Sequence, residues 1–333
     1  MQSTDLGHRF QRDGFVIQRN VFTQDEVRQL RAAVLERARK AKALGHVFKP
    51  SSGECAPAGD LLGVPVLEDL LFDARLLDIA RAVVPAKELV YFGDSGIMVG
   101  GTNRGFHKDN TCRDDASHPD WQTPYTLVRF GIYLQDHDRW SGGLKVRRGS
   151  HLHVDDYTGE IVDIDTRAGD VVLWNMRLTH SGHTVRVRGL PGVHLQPRFE
   201  VRAPRSLRVP ESEERAAVFM TFGIDDGHLA RYLEKHTNLT AYADNYLYKS
   251  WLYSAHGEAY ESRAKAAGLR LVRPVGDYGS LHGNATPLPE GYVVTGRGKR
   301  DVYTPRGTEA AIQRLGSIVR QIGARARALA PSR

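Results

Sequence analysis

Two cysteines, Cys55 and Cys112, are all that the 333 residues contain, too few for the disulfide framework of a small secreted domain. The first fifteen residues hold no apolar stretch of the kind a secretory signal needs. No apolar run approaches the roughly 20 residues of a membrane span, and mean hydropathy is −0.41. The expectation is a soluble, cytoplasmic protein with no membrane partner. No segment repeats at a fixed period and none is of low complexity, which argues against solenoids, propellers and disordered linkers. A block of single-sign charge is missing too. Lys and Arg number 46 against 39 Asp and Glu, a formal charge of +7 with a pI near 9.4. Such a pI invites a nucleic-acid reading, but acidic residues interrupt the basic ones almost everywhere. A solvated basic surface or an anionic small substrate fits better, and no nucleic-acid partner is expected.

Hydrophobic residues at 41%, aromatics at 8% and charged residues at 26% are those of a globular chain. Thr23 to Glu26 has the form of a capping box. Val27, Leu30, Val34, Ala38 and Ala41 then follow at helical intervals, predicting a helix that ends near Gly45. A second helix is predicted over Ala74 to Val84, stopped by Pro85. From Leu89 the texture becomes short β-rich runs, at 89–93, 97–101, 125–134, 143–149, 160–164, 170–174, 183–187 and 216–223, separated by Gly, Asp and Asn. Strands so spaced, without helices between them, predict a sandwich or jelly roll rather than a doubly wound parallel sheet. Residues 189–212 hold four prolines and read as a long excursion between two strands. Helical texture returns after Gly223, around Tyr246 to Trp251 and in a basic amphipathic C-terminal segment. The economical reading is one domain over 1–333: a helical part at 1–88, a jelly-roll core at 89–223 with the insertion 189–212, and a helical part at 224–333.

His107-Lys108-Asp109 places an imidazole and a carboxylate on one side of an extended segment. A turn at Gly169-Asp170 opens an apolar strand that delivers His180 to its far end. Two histidines and one carboxylate form the facial triad that holds non-haem Fe(II) while leaving positions open for a chelating co-substrate and oxygen. His183 is a rival for His180. Gly93-Asp94-Ser95-Gly96 looks like the nucleophile segment of a trypsin-like protease, but only His8 and His46 precede it and no disulfide set accompanies it.

His-x-Asp, then the segment Gly143 to His151, then the strand from Gly169 to a distal histidine, together resemble the phytanoyl-CoA dioxygenase family of Fe(II)/2-oxoglutarate-dependent oxygenases. Residues Phe10 to Ile17, followed by a capped helix, are similar to that family's opening, and the resemblance runs over about residues 8 to 223. It implies a mainly β fold with flanking helices, a double-stranded β-helix of the jelly-roll or cupin type. It also implies Fe(II) held by His107, Asp109 and His180, with 2-oxoglutarate and O2 as co-substrates and ascorbate as an activator. The distal carboxylate of 2-oxoglutarate then needs an arginine, whose planar fork makes two charge-assisted hydrogen bonds. Arg215, at the start of the run 216–223, matches the family's context although it lies well beyond His180; Arg186 and Arg188 are nearer rivals. His151 reads as ordering a turn and Trp174 as core.

With the carboxylate present, the resemblance implies hydroxylation of a small polar metabolite, or a related desaturation or ring closure. Arg104, Lys108, Lys145, Arg147 and Arg148 make the motifs' neighbourhood basic, pointing to solvated surface or to an anionic substrate. The excursion 189–212 and the aromatic segment of Tyr246, Trp251 and Tyr253 are candidates for a lid; the same aromatics also suit a homodimer contact. The rival function is a non-catalytic, metal-binding jelly-roll protein.

Overall fold

The computed structural model describes residues 2–43, 47–48, 55–57, 60–62, 64–84, 86, 88–101, 105–189, 194–237 and 257–272. Along the chain these form α1 (Gln2–Asp13), β1 (Phe15–Gln18), α2 (Gln24–Ala43), β2 (Val47–Phe48), β3 (Ala56–Pro57), α3 (Ala74–Val83), β4 (Leu89–Val99) and β5 (Val128–Tyr133). They continue with β6 (Leu144–Arg148), β7 (Glu160–Ile164), β8 (Val171–Asn175), β9 (His180–Gly182), α4 (Pro197–Glu200), β10 (Ala216–Gly223), α5 (Gly227–Thr237), α6 (Gly257–Ala266) and β11 (Leu269–Leu271). Arg104, Tyr246, Trp251, Tyr253 and the basic C-terminal segment lie outside the described residues.

A six-stranded sheet runs β1-β8-β5-β10-β4-β11, and a three-stranded sheet runs β7-β6-β9. Strand alternation decides what each face carries. Phe130 and Ile132 of β5, Val171 and Leu173 of β8, and Val218 and Met220 of β10 pack with Val27, Leu30 and Val34 of α2 and Leu76 and Leu77 of α3. The opposite face presents Tyr133, Val172, Trp174 and Ala217 to Leu144 and Val146 of β6 and Ile164 of β7. The two sheets thus close on an interior, the jelly roll that the strand spacing predicts.

The capping box forms: Glu26 N–H donates to Thr23 Oγ1 at 3.3 Å and Thr23 N–H to Glu26 Oε2 at 2.7 Å, a cap contributing about 1 kcal/mol. All five residues of the predicted α2 stripe are buried. Three expectations need correction. The runs 89–93 and 97–101 are one strand, β4, which bulges opposite Thr221 where Gly93 takes a φ of 81°. The run 183–187 is no strand, because His183 takes a φ of 57° immediately after β9 and turns the chain away. The flanking parts are not purely helical, since β1 pairs with β8 and β11 with β4. No helix among the described residues is long and apolar enough to cross a membrane.

Candidate metal centre and co-substrate pocket

The segment 107–110 hangs on the end of β8 and the start of β9 by its backbone. His107 and His180 exchange both amide hydrogen bonds, at 3.0 and 2.9 Å, and Asp109 N–H and Asn110 N–H donate to Met176 O at 2.9 and 3.1 Å. His107 and Asp109 therefore face the same side as His180, and one ligand atom from each of the three lies within 4.8 Å of the others. Among the described residues this is the one group of three or more His, Cys, Asp or Glu with such spacing. Lys108 points the other way and is buried, with Nζ donating to Ser150 O at 2.7 Å and Arg177 O at 2.8 Å. Burial pushes its pKa down to about 7.

The protons are arranged for a cation. His107 Nδ1 lies 3.1 Å from Gly105 O and His180 Nδ1 lies 3.0 Å from Leu178 O. A carbonyl only accepts, so each Nδ1 carries the proton and each Nε2 turns a lone pair inward. Burial pushes the His180 pKa down to about 3 despite the opposing pull of Asp109, so that ring is neutral. Burial would raise the Asp109 carboxyl, but the positive charge around it, that of Arg129 above all, outweighs burial and holds the group well below its ordinary range. Asp109 Oδ2 stands 3.4 Å from His180 Nε2, and Oδ1 stands 3.8 Å from His107 Nε2. Two lone pairs and an ionised carboxylate with no proton among them form a donor set suited to a divalent ion of borderline hardness.

His183 takes no part in this group; its Nε2 pairs with Glu211 Oε1 at 2.8 Å. His151 is buried, and its Nε2 donates to Gln11 O at 3.0 Å. Trp174 is core, with its ring centroid 5.5 Å from that of His180 and 6.3 Å from that of Phe219. Cys55 is buried and Cys112 partly so, neither of them in a disulfide among the described residues. Ser95 of the protease-like segment sits inside β4, where its hydroxyl accepts from Leu61 N–H at 3.1 Å and bonds the Tyr91 hydroxyl at 2.6 Å.

Arg215 immediately precedes β10 and is buried. Its Nε donates to Gly142 O at 3.0 Å and Nη1 to Gly100 O at 3.3 Å, and its guanidinium carbon stands 5.7 Å from the Tyr133 ring and 5.9 Å from the Phe219 ring. Nη2 would stand 3.9 Å from a Cβ placed on Gly182, the last residue of the strand that starts with His180. At Gly131 a Cβ would come within 2.8 Å of Trp174 and 3.2 Å of Tyr133, so glycine there makes room for these two rings, of which Tyr133 lies against Arg215 and Trp174 against His180. Arg186 turns elsewhere, donating to Trp140 O at 3.1 Å and His137 O at 3.0 Å and pairing with Asp165. Arg188 is exposed.

Two other basic residues of the neighbourhood, Lys145 and Arg147, are not solvated surface. Lys145 is buried and pairs with Asp163 at 2.9 Å and with buried Glu200 of α4. Arg147 is buried and lies over the Phe106 ring at 4.7 Å. Arg148 is exposed, 3.6 Å from Glu160. The Lys145–Glu200 pair fastens the excursion to β6 and His194 on Asp163 at 2.7 Å fastens it to β7, while Arg188 N–H on Leu207 O at 2.7 Å ties its base. A cleft of about 770 Å³ opens beside His107, lined by Phe106, Lys108, Arg113, Asp114 and residues 152–157; none of the described residues of 189–212 lines it.

A family model described as phytanoyl-CoA dioxygenase (PhyH) matches residues 10–189, more than half of the chain. The chain belongs to that family. It is therefore an enzyme of the non-haem Fe(II)/2-oxoglutarate oxygenase class, with Fe(II) and 2-oxoglutarate as cofactors. Similar solved structures include the non-haem α-ketoglutarate-dependent epimerase SnoN from nogalamycin biosynthesis, at 19% identity over 67% of this chain and 83% of that one, TM-score 0.47. The carbocyclase SnoK from the same biosynthesis has 20% identity over 68% and 89%, TM-score 0.48. HygX from Streptomyces hygroscopicus, with nickel and 2-oxoglutarate bound, has 19% identity over 66% and 87%, TM-score 0.46. No curated protein matches by sequence.

Arg129 escapes a motif reading. It is the one charged residue in the apolar run 125–134, a signal that its strand faces something polar inside. Its Nη1 donates to Asp109 Oδ2 at 2.8 Å and its Nε to Thr221 Oγ1 at 3.0 Å, while Nη2 pairs with Asp94.

Proposed function

We propose that this chain is an Fe(II)- and 2-oxoglutarate-dependent hydroxylase of a small polar metabolite, with His107, Asp109 and His180 as iron ligands and Arg215 as the co-substrate anchor. The observation that carries the reading is the convergence of two inward imidazole Nε2 atoms and one ionised carboxylate. Bound there, Fe(II) and 2-oxoglutarate supply an oxidative decarboxylation that activates O2 for insertion into a substrate C–H bond, with ascorbate keeping the metal reduced.

The remaining chemistry belongs to the chain. The backbone bridge between His107 and His180 fixes two ligands against each other before any ion arrives. Arg215 offers the distal carboxylate of 2-oxoglutarate a buried guanidinium between Tyr133 and Phe219, where low dielectric strengthens a charge-assisted bond. Trp174, Phe219 and Tyr133 exclude water between anchor and metal centre.

The substrate enters the cleft beside His107, whose lining bears both signs of charge, Lys108 and Arg113 together with Asp114, Asp155 and Asp156. An anionic substrate group would meet Arg113, because Lys108 is engaged by two backbone carbonyls. The test is succinate release with Fe(II), ascorbate and 2-oxoglutarate across a panel of polar metabolites, read by product mass. A gain of one oxygen on a panel member is expected. Loss of two hydrogens instead would make the enzyme a desaturase or cyclase. Metal binding with no 2-oxoglutarate binding or turnover would return the chain to the non-catalytic reading.

A further inference from the structure

Arg129 projects from β5 into the interior, in register with Thr221 of β10. Its guanidinium is held on three sides: Nε on the Thr221 hydroxyl at 3.0 Å, Nη2 on Asp94, and Nη1 on Asp109 Oδ2 at 2.8 Å. Asp94 is itself fixed, since its Oδ2 also accepts from Thr221 Oγ1 at 2.9 Å and from the Tyr232 hydroxyl of α5 at 2.9 Å. Asp94, Thr221 and Tyr232 are all buried. Residues of β4, β10 and α5 thus lock a planar fork whose remaining arm grips one oxygen of Asp109. A lysine has no such fork, and a residue without a charge would leave Asp94 buried beside a second carboxylate.

We propose that Arg129 is a positioning residue that holds Asp109 by Oδ2 so that Oδ1 alone would be offered to a bound metal, which would leave its remaining positions for 2-oxoglutarate and O2. The inference rests on the reading of His107, Asp109 and His180 as metal ligands. A carboxylate released from Arg129 is free to bind with both oxygens, and the second would occupy a position that the chelate needs. Groups that orient metal ligands typically change affinity or activity 10- to 100-fold when removed. Here the loss falls on the co-substrate rather than on the ion, since a carboxylate with both oxygens available binds a cation no less well. A merely structural role would weaken both together.

Co(II) serves as the probe because its visible absorption reports coordination number. Wild type, Arg129→Met and Thr221→Val are titrated with Co(II), and each loaded protein is then titrated with 2-oxoglutarate by calorimetry without oxygen. The expected result is that Arg129→Met binds Co(II) within a few-fold of wild type and shows an altered absorption spectrum before co-substrate is added. It should bind 2-oxoglutarate about tenfold or more weakly. Thr221→Val loosens the same guanidinium without changing charge and should show the same split to a smaller degree; it decides the matter if Arg129→Met does not fold. Unchanged spectra with 2-oxoglutarate affinity within twofold of wild type overturn the proposal, as does a parallel loss of Co(II) and co-substrate binding. Failure of wild type to bind Co(II) at all overturns the metal-centre reading itself.

Discussion

His107 and His180 face each other across an antiparallel bridge, with two reciprocal amide hydrogen bonds of 3.0 and 2.9 Å and ring centroids 4.4 Å apart. The backbone makes this pairing, so truncating either side chain leaves the bridge in place. His180→Ala and Asp109→Ala should each abolish metal-dependent 2-oxoglutarate turnover while far-UV circular dichroism stays that of wild type. His183→Ala, which removes a contact with Glu211 outside the triad, should retain most turnover. A larger loss at 183 than at 180 would assign the ligand to the wrong histidine.

Arg215→Ala should raise the Michaelis constant for 2-oxoglutarate far more than the Fe(II) requirement. Truncating one partner of a buried charge pair costs about 2–5 kcal/mol, at least tenfold in affinity. Arg186→Ala removes bonds to Trp140 O, His137 O and Asp165 and should lower the denaturation midpoint with the co-substrate requirement unchanged. Steady-state kinetics at varied 2-oxoglutarate and saturating Fe(II) checks both, and an exchange of the two phenotypes would move the anchor.

Much of this site is legible in the sequence because it depends on short-range geometry. His-x-Asp needs only strand alternation, and α2 needs only a cap and an apolar stripe. Arg129 and Asp94 are not legible, since their meeting depends on the register of β4, β10 and β5 and on a bulge at Gly93. The run 183–187 has the alternation of a strand, yet no local signal reveals that His183 adopts a left-handed φ. Lys145 reads as surface because the excursion that buries it starts 44 residues later; without Glu200 over it, that face of β6 would be wet.

Lys145→Met should destabilise the protein by about 3–5 kcal/mol, because it leaves Glu200 buried without its cation and next to half-buried Asp163. Adding Glu200→Gln should recover part of the loss. Urea denaturation gives the energies, and faster proteolytic cleavage within 194–212 in the single variant would show the excursion released. A single variant as stable as wild type would mean the pair contributes nothing.

Burial pushes the pKa of His137 and of His151 down to about 4 each. In the unfolded chain both titrate near 6.5, so between pH 6.5 and 4 the unfolded state binds more protons and stability falls as pH falls. From pH 7.5 to 5 each contributes a loss of about 2 kcal/mol. The metal-free protein should therefore show a urea midpoint that drops steeply over this window. His151→Gln should be less stable at pH 7.5 but less sensitive to pH; an unaltered pH slope would contradict the assignment.

The most direct measurement is an anaerobic titration of 2-oxoglutarate into the protein with and without Fe(II), followed by calorimetry and by the visible absorption of the chelated metal. The expected result is one equivalent bound with a new absorption band when Fe(II) is present, little binding without it, and neither signal in Asp109→Ala or His180→Ala. Equal binding with and without the metal, or an unchanged band in those variants, would contradict a metal centre built from His107, Asp109 and His180.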